Sequence, residues 1–347
     1  MIGLAVPLVR LRGTHAELGY QHGQARAERL REFLDDSLAR LNRILPAPVS
    51  LASLTSTLDE YRDRIADATP ALAEEIDGLA AGAGIGRDEA LLLQLRREIM
   101  GYRRVPTAGD CTTYARTGAD PVLAQTVDLN GNLDDQIAVL DVTPSGSPRR
   151  ALVLSFGGLL GYLGMNSAGL AVGLNLVLGG DWRPGLPPYL AIRHLLDDAS
   201  TVEEAIGLLG RLRLASSRSI TLCDRSTAAY VEILDDDVRV ARAPWTVHTN
   251  HFLHPDLAAR DELNVFARNS SVRRLATGET ALAALPAGAG ADEHFGLMSG
   301  PPIRVPDEGD IRRERTVASV VMFPARGEFH VRPGDPALSR TYPFTFD

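Results

Sequence analysis

"TAGDCTTYARTG", residues 107–118, contains one of the two cysteines in this chain of 347 residues. Before this stretch the apolar residues recur at helical spacing, and after it short β-branched runs alternate with turns. A lone buried cysteine is usually a small packing residue. Cys111, however, lies between Asp110 and Thr112 in a polar junction, which is a poor place to bury a thiol for packing. The stretch therefore predicts a boundary between a helical part and a strand-rich part, with Cys111 as a candidate nucleophile.

The segment before the junction is predicted to be mainly helical. Thr14 and Glu17 form a capping box, and leucines recur at helical spacing from there until Pro46, where the first helix is predicted to end. The Thr-Pro pair at 69–70 marks a second helix start, and "GAGIG" at 82–86 separates that helix from a third. The segment is predicted to form a helical layer that covers another part of the protein.

The segment after the junction is predicted to be rich in strands. A central stretch at 188–212 has helical periodicity, with Ser200 and Glu203 as a capping box for its second helix. The predicted strands before it are "PVLAQTV", "QIAVLDV", "RALVLSF" and "GLAVGLNLV", and those after it are "SITLC", "AAYVEIL", "DVRVAR", "TVASVVMFP" and "GEFHVRPG". This order indicates an α+β protein with layered sheets rather than a βαβ repeat.

Composition excludes several classes of function. A formal net charge of -8 argues against a nucleic-acid partner, and the absence of lysine excludes a P-loop, a Schiff base and a Ser-Lys pair. The start of the chain, residues 1–19, lacks the cationic region and cleavage site of a signal peptide and is interpreted as a strand. No apolar run reaches the ~20 residues of a membrane span, so the sequence predicts a cytoplasmic protein without a membrane partner. Two cysteines do not form a secreted disulfide framework.

Two further motifs are weighed and set aside. The glycines of "FGGLLGYLGMNSAG", residues 156–169, lack the spacing of a dinucleotide-binding loop and are interpreted as turn and packing glycines. Three histidines in "HTNHFLHP", residues 248–255, resemble a metal site, but Pro255 and the lack of a neighbouring cysteine weaken that hypothesis. No metal and no cofactor are predicted.

A nucleophilic Cys111 needs a base, and no Cys-His-Asn order typical of papain or the caspases is present. Cleavage of the Asp110–Cys111 bond would create an α-amino group with an ordinary pKa of about 7.7–8.0, so thiol and base would belong to one residue. The bond would be cut by attack of the thiol on the Asp110 carbonyl, an N-to-S acyl shift and hydrolysis of the thioester. Cys223, inside "SITLCDRS", is interpreted as an inert core residue.

An ordered set of motifs resembles a known family. It comprises Cys111 with the threonines that follow it, "LAQTVDLN", "GMNSAGLAVGLNLV", "PPYLAIRHLLDDASTVEEA", "VHTNHF" and "RERTVASVVMFPARGEFHVRPGDP". Their order and spacing are similar to those of the isopenicillin N acyltransferase family, also called peptidase family C45, which belongs to the N-terminal nucleophile (Ntn) hydrolases and is related to the choloylglycine hydrolases. "ELGYQHGQARAERLREFL" resembles the family's pro-segment, so the resemblance covers nearly the whole chain.

The resemblance implies a role for several residues. Cys111 is implied as the autoproteolytic and catalytic nucleophile, and Asp128 as the carboxylate that orients its free α-amino group. Asn250 is implied as an oxyanion donor, with Asn175 as a second asparagine near the same site. The arginine that supports the nucleophile is assigned to Arg313, with Arg315 as the alternative.

The chain departs from the family pattern in two places. "QTVD" stands where the family commonly has the aromatic-rich "QNWD", so the pocket beside Asp128 is predicted to be reshaped, with Thr112 and Leu129 as substrate contacts. Penicillin specificity is not carried over. Asp110 replaces the glycine that often precedes the nucleophile, which makes the rate of cleavage an open question.

The resemblance also implies a fold and a reaction. We expect a four-layer αββα Ntn fold of two antiparallel sheets between helical layers, with residues 1–110 as a pro-segment and small subunit and 111–347 as the catalytic subunit. The expected reaction is hydrolysis of an N-acyl amide through a thioester acyl-enzyme. Acyl transfer from an amide or thioester to an amine, and an uncleaved non-catalytic binding protein, are the alternatives. The expected partners are a small acyl substrate and the cleaved pro-segment, with a homodimer left open.

Overall fold

The structure, a computed structural model, describes residues 5–103, 105 and 111–346. Asp110, half of the predicted cleavage site, lies outside these residues. The strands are β1 (Leu8–Gly13), β2 (Thr113–Arg116), β3 (Val122–Leu129), β4 (Ile137–Pro144), β5 (Ala151–Phe156), β6 (Leu163–Asn166), β7 (Ala171–Leu176), β8 (Arg218–Cys223), β9 (Ala228–Leu234), β10 (Asp237–Ala243), β11 (Trp245–His248), β12 (Arg315–Phe323), β13 (Glu328–Pro333) and β14 (Tyr342–Thr345). The helices are α1 (His15–Asp35), α2 (Leu41–Ile44), α3 (Leu51–Ala68), α4 (Pro70–Ala83), α5 (Arg87–Met100), α6 (Pro188–Asp198), α7 (Val202–Leu209), α8 (Pro255–Ala258), α9 (Val265–Ala284) and α10 (Ala291–Met298).

The described strands form two sheets. The larger sheet has the order β1-β4-β5-β6-β7-β8-β9-β10, and the smaller has the order β11-β2-β3-β12-β13-β14. Their ladders are antiparallel as predicted, except that β1 pairs with β4 in parallel. Strand β1 belongs to the segment before Cys111 and lies at the edge of the larger sheet.

The sheets pack face to face between two layers of helices. Strands β2 and β3 contact β7 and β8 across the interface between the sheets. Helices α6 and α7 pack on the larger sheet together with α1, and α9 and α10 pack on the smaller one. The almost uniformly buried strands on both sides of this interface follow from covering both faces of each sheet. The α+β class and the αββα arrangement are therefore confirmed.

The prediction of one continuous helix to Pro46 is wrong. Helix α1 ends at Asp35, and residues 37–40 all have left-handed backbone with φ between 50° and 63° before α2 begins. Each left-handed residue other than glycine costs about 1–2 kcal/mol. The turn is held by Arg40, which donates to the carbonyls of Gly131 (2.9 Å) and Asn132 (2.6 Å) and pairs with Asp135. These partners are distant in sequence, so the spacing of the leucines near the turn does not indicate that the helix ends there.

Two long helices were missing from the prediction, and one N-cap is displaced by one residue. Helices α3 and α9 both begin at side-chain caps, Ser50 and Asn264 respectively. The cap of α7 is Thr201, whose hydroxyl accepts from the backbone N–H of Glu204, rather than Ser200.

The segment before Cys111 is built into the body of the protein. Helices α1 and α4 pack so closely that a Cβ at Gly19 would lie 1.9 Å from the carbonyl oxygen of Glu75. Glu75 in turn forms a fully buried ion pair with Arg193 of α6, with N–O distances of 2.8 and 2.9 Å. Gln94 of α5 donates to the carbonyl of Gly158 (2.9 Å). Helix α5 is thereby held over the interface between the sheets, where the candidate site lies.

Candidate active site

Cys111 lies where three neighbouring strands of the smaller sheet end. Strand β2 pairs with β3 on one side and with β11 on the other, with Thr113 opposite both Gln125 and His248. Extending the β2–β11 register by two residues places Asn250 directly beside Cys111. Two candidates separated by 139 positions in sequence therefore become neighbours because of strand register alone.

The thiol of Cys111 is buried against the end of β3. Its Sγ accepts a hydrogen bond from the backbone N–H of Asp128 (3.3 Å) and donates to the carbonyl of the same residue (3.6 Å). The Asp128 carboxylate is itself held, because Thr126 Oγ1 donates to its Oδ2 (3.1 Å). The backbone N–H of Thr112 donates to that same threonine hydroxyl (3.0 Å). A short buried network thus joins Thr112 to the carboxylate of Asp128, and the thiol of Cys111 to the main chain of the same residue.

The main-chain carbonyl of Cys111 is held by two side chains. Asn175, at the end of β7 in the opposite sheet, donates its Nδ2 to this oxygen at 3.0 Å. Arg274 of α9 donates its Nη1 to the same oxygen at 2.7 Å. Both side chains are fully buried. The backbone of the nucleophile is therefore clamped between the two sheets and a helix of the outer layer.

Arg274 was missed by the sequence reasoning. Besides Cys111, its guanidinium donates to Thr112 Oγ1 (3.1 Å) and to Asn250 Oδ1 (3.0 Å). The buried residues of α9 recur every three or four positions, and Arg274 lies among them between Ser271 and Gly278. Because this buried face carries small and polar residues, the sequence of α9 has no apolar period that would single out Arg274.

The amide of Asn250 has a fixed orientation. Its Oδ1 accepts from Arg274, and its Nδ2 donates to the carbonyl of Leu176 at 2.9 Å. Its backbone N–H donates to Ser271 Oγ (2.8 Å) on α9. With the oxygen occupied by a guanidinium, the nitrogen end of the amide is the end available to a developing oxyanion.

A cavity opens in front of the thiol. Its polar lining includes Cys111, Asp128, Asn130, Asn250 and Glu314, together with the guanidinium groups of Arg96, Arg97 and Arg218. Its apolar lining consists of Leu93, Met100, Leu129, Leu133, Phe156, Leu159, Tyr162, Leu174, Leu176 and Tyr189. Leu129 therefore lies where a substrate contact was predicted. Thr112 does not line the cavity, since its hydroxyl is engaged by Arg274.

The structure does not bring Arg313 or Arg315 to the nucleophile. Arg313 precedes β12, its side chain is 67% exposed, and it pairs with Glu308. Arg315 bonds to Asn132 Oδ1 (3.0 Å) and pairs with Asp134 (2.6 Å). Neither lines the cavity. The arginine beside Cys111 is instead Arg274, which reaches the site from a helix that was not predicted.

The three histidines of residues 248–255 point to different partners. His248 Nε2 contacts Glu232 (2.8 Å), and His251 Nδ1 contacts Ser271 Oγ (2.8 Å). His254 caps α8, accepting from the N–H of Asp256. Burial lowers the pKa of His251 to about 4, so this ring is neutral at physiological pH. Among the described residues, no group of three or more His, Cys, Asp or Glu is arranged to hold a metal ion.

Cys223 has a different environment from Cys111. It is fully buried in β8, and its Sγ faces the carbonyls of Arg116 and Val122, both at 3.7 Å. Burial raises the pKa of this thiol far above its ordinary value, and Asp224 raises it further. A thiol in such a position is a poor nucleophile. The placement agrees with the interpretation of Cys223 as an inert core residue.

Comparison with known sequences identifies a family model and a named relative. A model of the family described as acyl-coenzyme A:6-aminopenicillanic acid acyl-transferase matches residues 115–336. A protein from Emericella nidulans named acyl-coenzyme A:6-aminopenicillanic-acid-acyltransferase 40 kDa form is 28% identical over 267 residues, covering 74% of this chain and 72% of that protein.

Solved structures give weaker likenesses. A penicillin V acylase from Agrobacterium tumefaciens is 18% identical, with a TM-score of 0.48 over 68% of this chain and 86% of its own. A Caenorhabditis elegans ortholog of N-acylethanolamine-hydrolyzing acid amidase is 17% identical, with the same TM-score over 68% of this chain and 100% of its own. Within the part of the chain that the structure describes, none of the helices is long and apolar enough to cross a membrane.

Proposed function

Because the chain belongs to the acyl-coenzyme A:6-aminopenicillanic acid acyl-transferase family, we propose that it is an amide hydrolase whose nucleophile is Cys111, exposed by cleavage after Asp110. The observation that carries the proposal is the joint position of Cys111, Asp128 and Asn250 on one cavity, with the backbone of Cys111 clamped by Asn175 and Arg274.

The first step is self-cleavage. The Cys111 thiol attacks the carbonyl carbon of Asp110, the C–N bond between the two residues breaks, and the nitrogen leaves as the amine with the thiol proton. One water then hydrolyses the thioester, which returns the thiol and leaves a carboxylate on Asp110. The clamp on the Cys111 carbonyl supports this step, since it restrains the residue whose side chain must turn toward its own preceding bond.

The second step is acylation by the substrate. The new α-amine accepts the thiol proton, and the thiolate attacks the amide carbonyl to give a tetrahedral oxyanion. The amide nitrogen of Asn250 donates to that oxyanion, and the carboxylate of Asp128 faces the ammonium that forms. The ammonium returns its proton to the leaving nitrogen, the C–N bond breaks, and the acyl group remains on Sγ as a thioester.

The third step is deacylation. The free α-amine takes a proton from water, the resulting hydroxide attacks the thioester, and the thiolate leaves and recovers the proton. The products are a carboxylic acid and an amine. If an amine replaces water at this point, the same site performs acyl transfer, the reaction for which the family is described.

The experiment measures both cleavage and turnover. Intact mass of the purified chain should give two fragments, the larger beginning at Cys111, and incubation with N-acyl amides should release free amine. Cys111→Ala should abolish both, while the matched control Cys223→Ala should retain both. A single uncut chain that shows no turnover, or a Cys111→Ala variant that still cleaves, would overturn the proposal. Repeating the assay with an added amine separates hydrolysis from transfer.

A further inference from the structure

Asn250 lies in a short segment that follows strand β11. The segment begins after His248, the last residue of β11 in the smaller sheet, and runs to His254, which caps α8. A donor on such a segment must be held in place, because a misplacement of about 1 Å can cost about 100-fold in rate. Contacts from α9 and from the end of β7 hold one side of the segment, and a buried carboxylate holds the other.

The buried carboxylate is that of Glu232, on β9 of the larger sheet. Its side chain is 0% exposed, and its two oxygens accept from the backbone N–H groups of Leu253 (2.6 Å) and His254 (2.9 Å). The same carboxylate contacts His248 Nε2 at 2.8 Å. Glu232 therefore holds the segment at both of its ends, before and after Asn250.

Glu232 and His248 form a buried ion pair. Burial disfavours charge on Glu232, but the hydrogen bonds that it accepts, and the charge of His248, outweigh this and hold the pKa of the carboxyl below its ordinary value. The Nε2 of His248 faces this carboxylate, and its Nδ1 lies 2.8 Å from the carbonyl oxygen of Thr249. Both oxygens can only accept, so each ring nitrogen carries a proton and the ring is an imidazolium. The pair thus bridges the two sheets beside Asn250.

The imidazolium fixes the peptide bond that leads into Asn250. The carbonyl of this bond belongs to Thr249 and accepts from His248 Nδ1. Its N–H belongs to Asn250 and donates to Ser271 Oγ of α9 at 2.8 Å. One peptide plane is therefore held through both of its polar atoms. Because the Asn250 side chain starts from this plane, the orientation of the plane decides where the amide nitrogen points.

We propose that Glu232 and His248 are positioning residues that hold Asn250 in place to stabilise the oxyanion. This role rests on the proposed function, since it concerns the donor that the acylation step uses. Neither residue lines the cavity, so both act on the reaction through Asn250 rather than by contact with the substrate. Loosening the segment would leave binding of the amide intact and weaken the transition state alone.

The test asks whether the pair acts through Asn250. Glu232→Gln keeps the size of the side chain but replaces one accepting oxygen with a donor, which cannot bind a backbone N–H. It should lower kcat about 10-fold on the N-acyl amide that wild type hydrolyses fastest, with KM within about 2-fold. Asn250→Ala should lower kcat about 100-fold, and adding Glu232→Gln to it should cause less than about 2-fold further loss. Equal fold-losses in the two backgrounds, or no loss in wild type, would overturn the proposal.

A second histidine–glutamate pair provides a matched control. His15 contacts Glu75 at the same distance of 2.8 Å, and neither residue lines the cavity. His15→Gln should change kcat less than about 2-fold. His248→Gln keeps a donor for Glu232 but not the one for the Thr249 carbonyl, and it should lower kcat about 5-fold. A loss with His15→Gln as large as that with His248→Gln would indicate general destabilisation and contradict a positioning role.

Hydrogen exchange separates this inference from the proposed hydrolysis. By mass spectrometry, the backbone amides of residues 249–254 should exchange about 10-fold faster in Glu232→Gln than in wild type, while those of α1 should not change. If wild type turns over no amide but this faster exchange is observed, the proposed hydrolysis fails and the positioning of Asn250 stands. Exchange of residues 249–254 that Glu232→Gln leaves unchanged would overturn the positioning role, whatever activity wild type has.

Discussion

Two buried arginines of this protein hold different groups in place. Arg193 is surrounded by carboxylates: it binds Glu75 through two N–O contacts and Asp197 at 3.0 Å. The contacts of Arg274 include the carbonyl of Cys111, the hydroxyl of Thr112 and the amide oxygen of Asn250. Both are fully buried.

The difference separates an arginine that ties helices together from one that orders groups around the candidate nucleophile. Burial disfavours charge on Glu75, but Arg193 and His15 outweigh this and hold the pKa of that carboxyl below its ordinary value. The charges at Arg193 are thus compensated within the protein, and the cluster ties α4 to α6. Arg274 instead fixes the main-chain carbonyl of Cys111 and the amide of Asn250, so its role is to position groups around the candidate nucleophile.

The largest effect is expected from breaking the Arg193 cluster. Arg193→Met leaves Glu75 and Asp197 buried without their cation, which should cost about 3–5 kcal/mol in the free energy of unfolding. Urea unfolding of the uncut Cys111→Ala chain, with and without this change, measures it. The surface pair of Arg62 with Asp59 and Asp88 is the control, and Arg62→Met should cost less than about 1 kcal/mol. A loss below 1 kcal/mol for Arg193→Met would contradict a structural role for the pair.

A somewhat smaller effect is expected at the active site. Arg274→Met releases the amide of Asn250 and the carbonyl of Cys111, and it should lower kcat about 100-fold, or about 2.7 kcal/mol of transition-state stabilisation. Steady-state kinetics on folded protein, checked by circular dichroism, measures it. Arg313→Met, at the exposed residue that the sequence had favoured, should keep kcat within about 2-fold. The reverse ranking would restore the assignment made from sequence.

The smallest effect is expected in how the free energy of unfolding depends on pH, through the contact between His15 and Glu75. His15 contacts Glu75 at 2.8 Å, and this hydrogen bond raises the pKa of His15 above 6.5. A base with a raised pKa adds stability that is fully present below 6.5 and is lost as the pH rises through its folded value. His15→Ala should therefore cost about 1 kcal/mol at pH 5.5 and much less at pH 9. Unfolding of both chains at the two pH values checks this, and a cost that grows with pH would contradict it.

The fold and the site were predictable from the sequence to different degrees. The strands around Cys111 were predicted because buried apolar runs between turns are a local signal, as in β3 and β12. Asp128, Asn175 and Asn250 came from motif order, and the structure brings Asp128 and Asn250 to the cavity of the thiol and Asn175 to the main-chain carbonyl of Cys111. The left-handed turn before Arg40 could not be predicted, because its stabilising contacts lie some 90 residues away.

The arginines assigned from the sequence differ from those that the structure places near Cys111 for one physical reason. The chain contains 36 arginines and no lysine, so residue type alone does not distinguish one guanidinium from another. Arg313 matched a motif spacing, yet it is exposed beside Glu308. Arg274 and Arg97 matched no motif, yet both lie on helices whose buried faces meet the site. Burial, rather than spacing, identified them.

The sequence by itself determined the junction at Cys111, the helical segment before it and the strand-rich segment after it, because capping residues, periodicity and turns act over a few neighbouring positions. Only the tertiary structure decided which charged side chains are shielded from water. Strand register placed Asn250 beside Cys111, and α9 delivered Arg274 to the same carbonyl that Asn175 holds. Electrostatic roles depend on desolvation and on partners far away in the chain, and neither is written in local sequence.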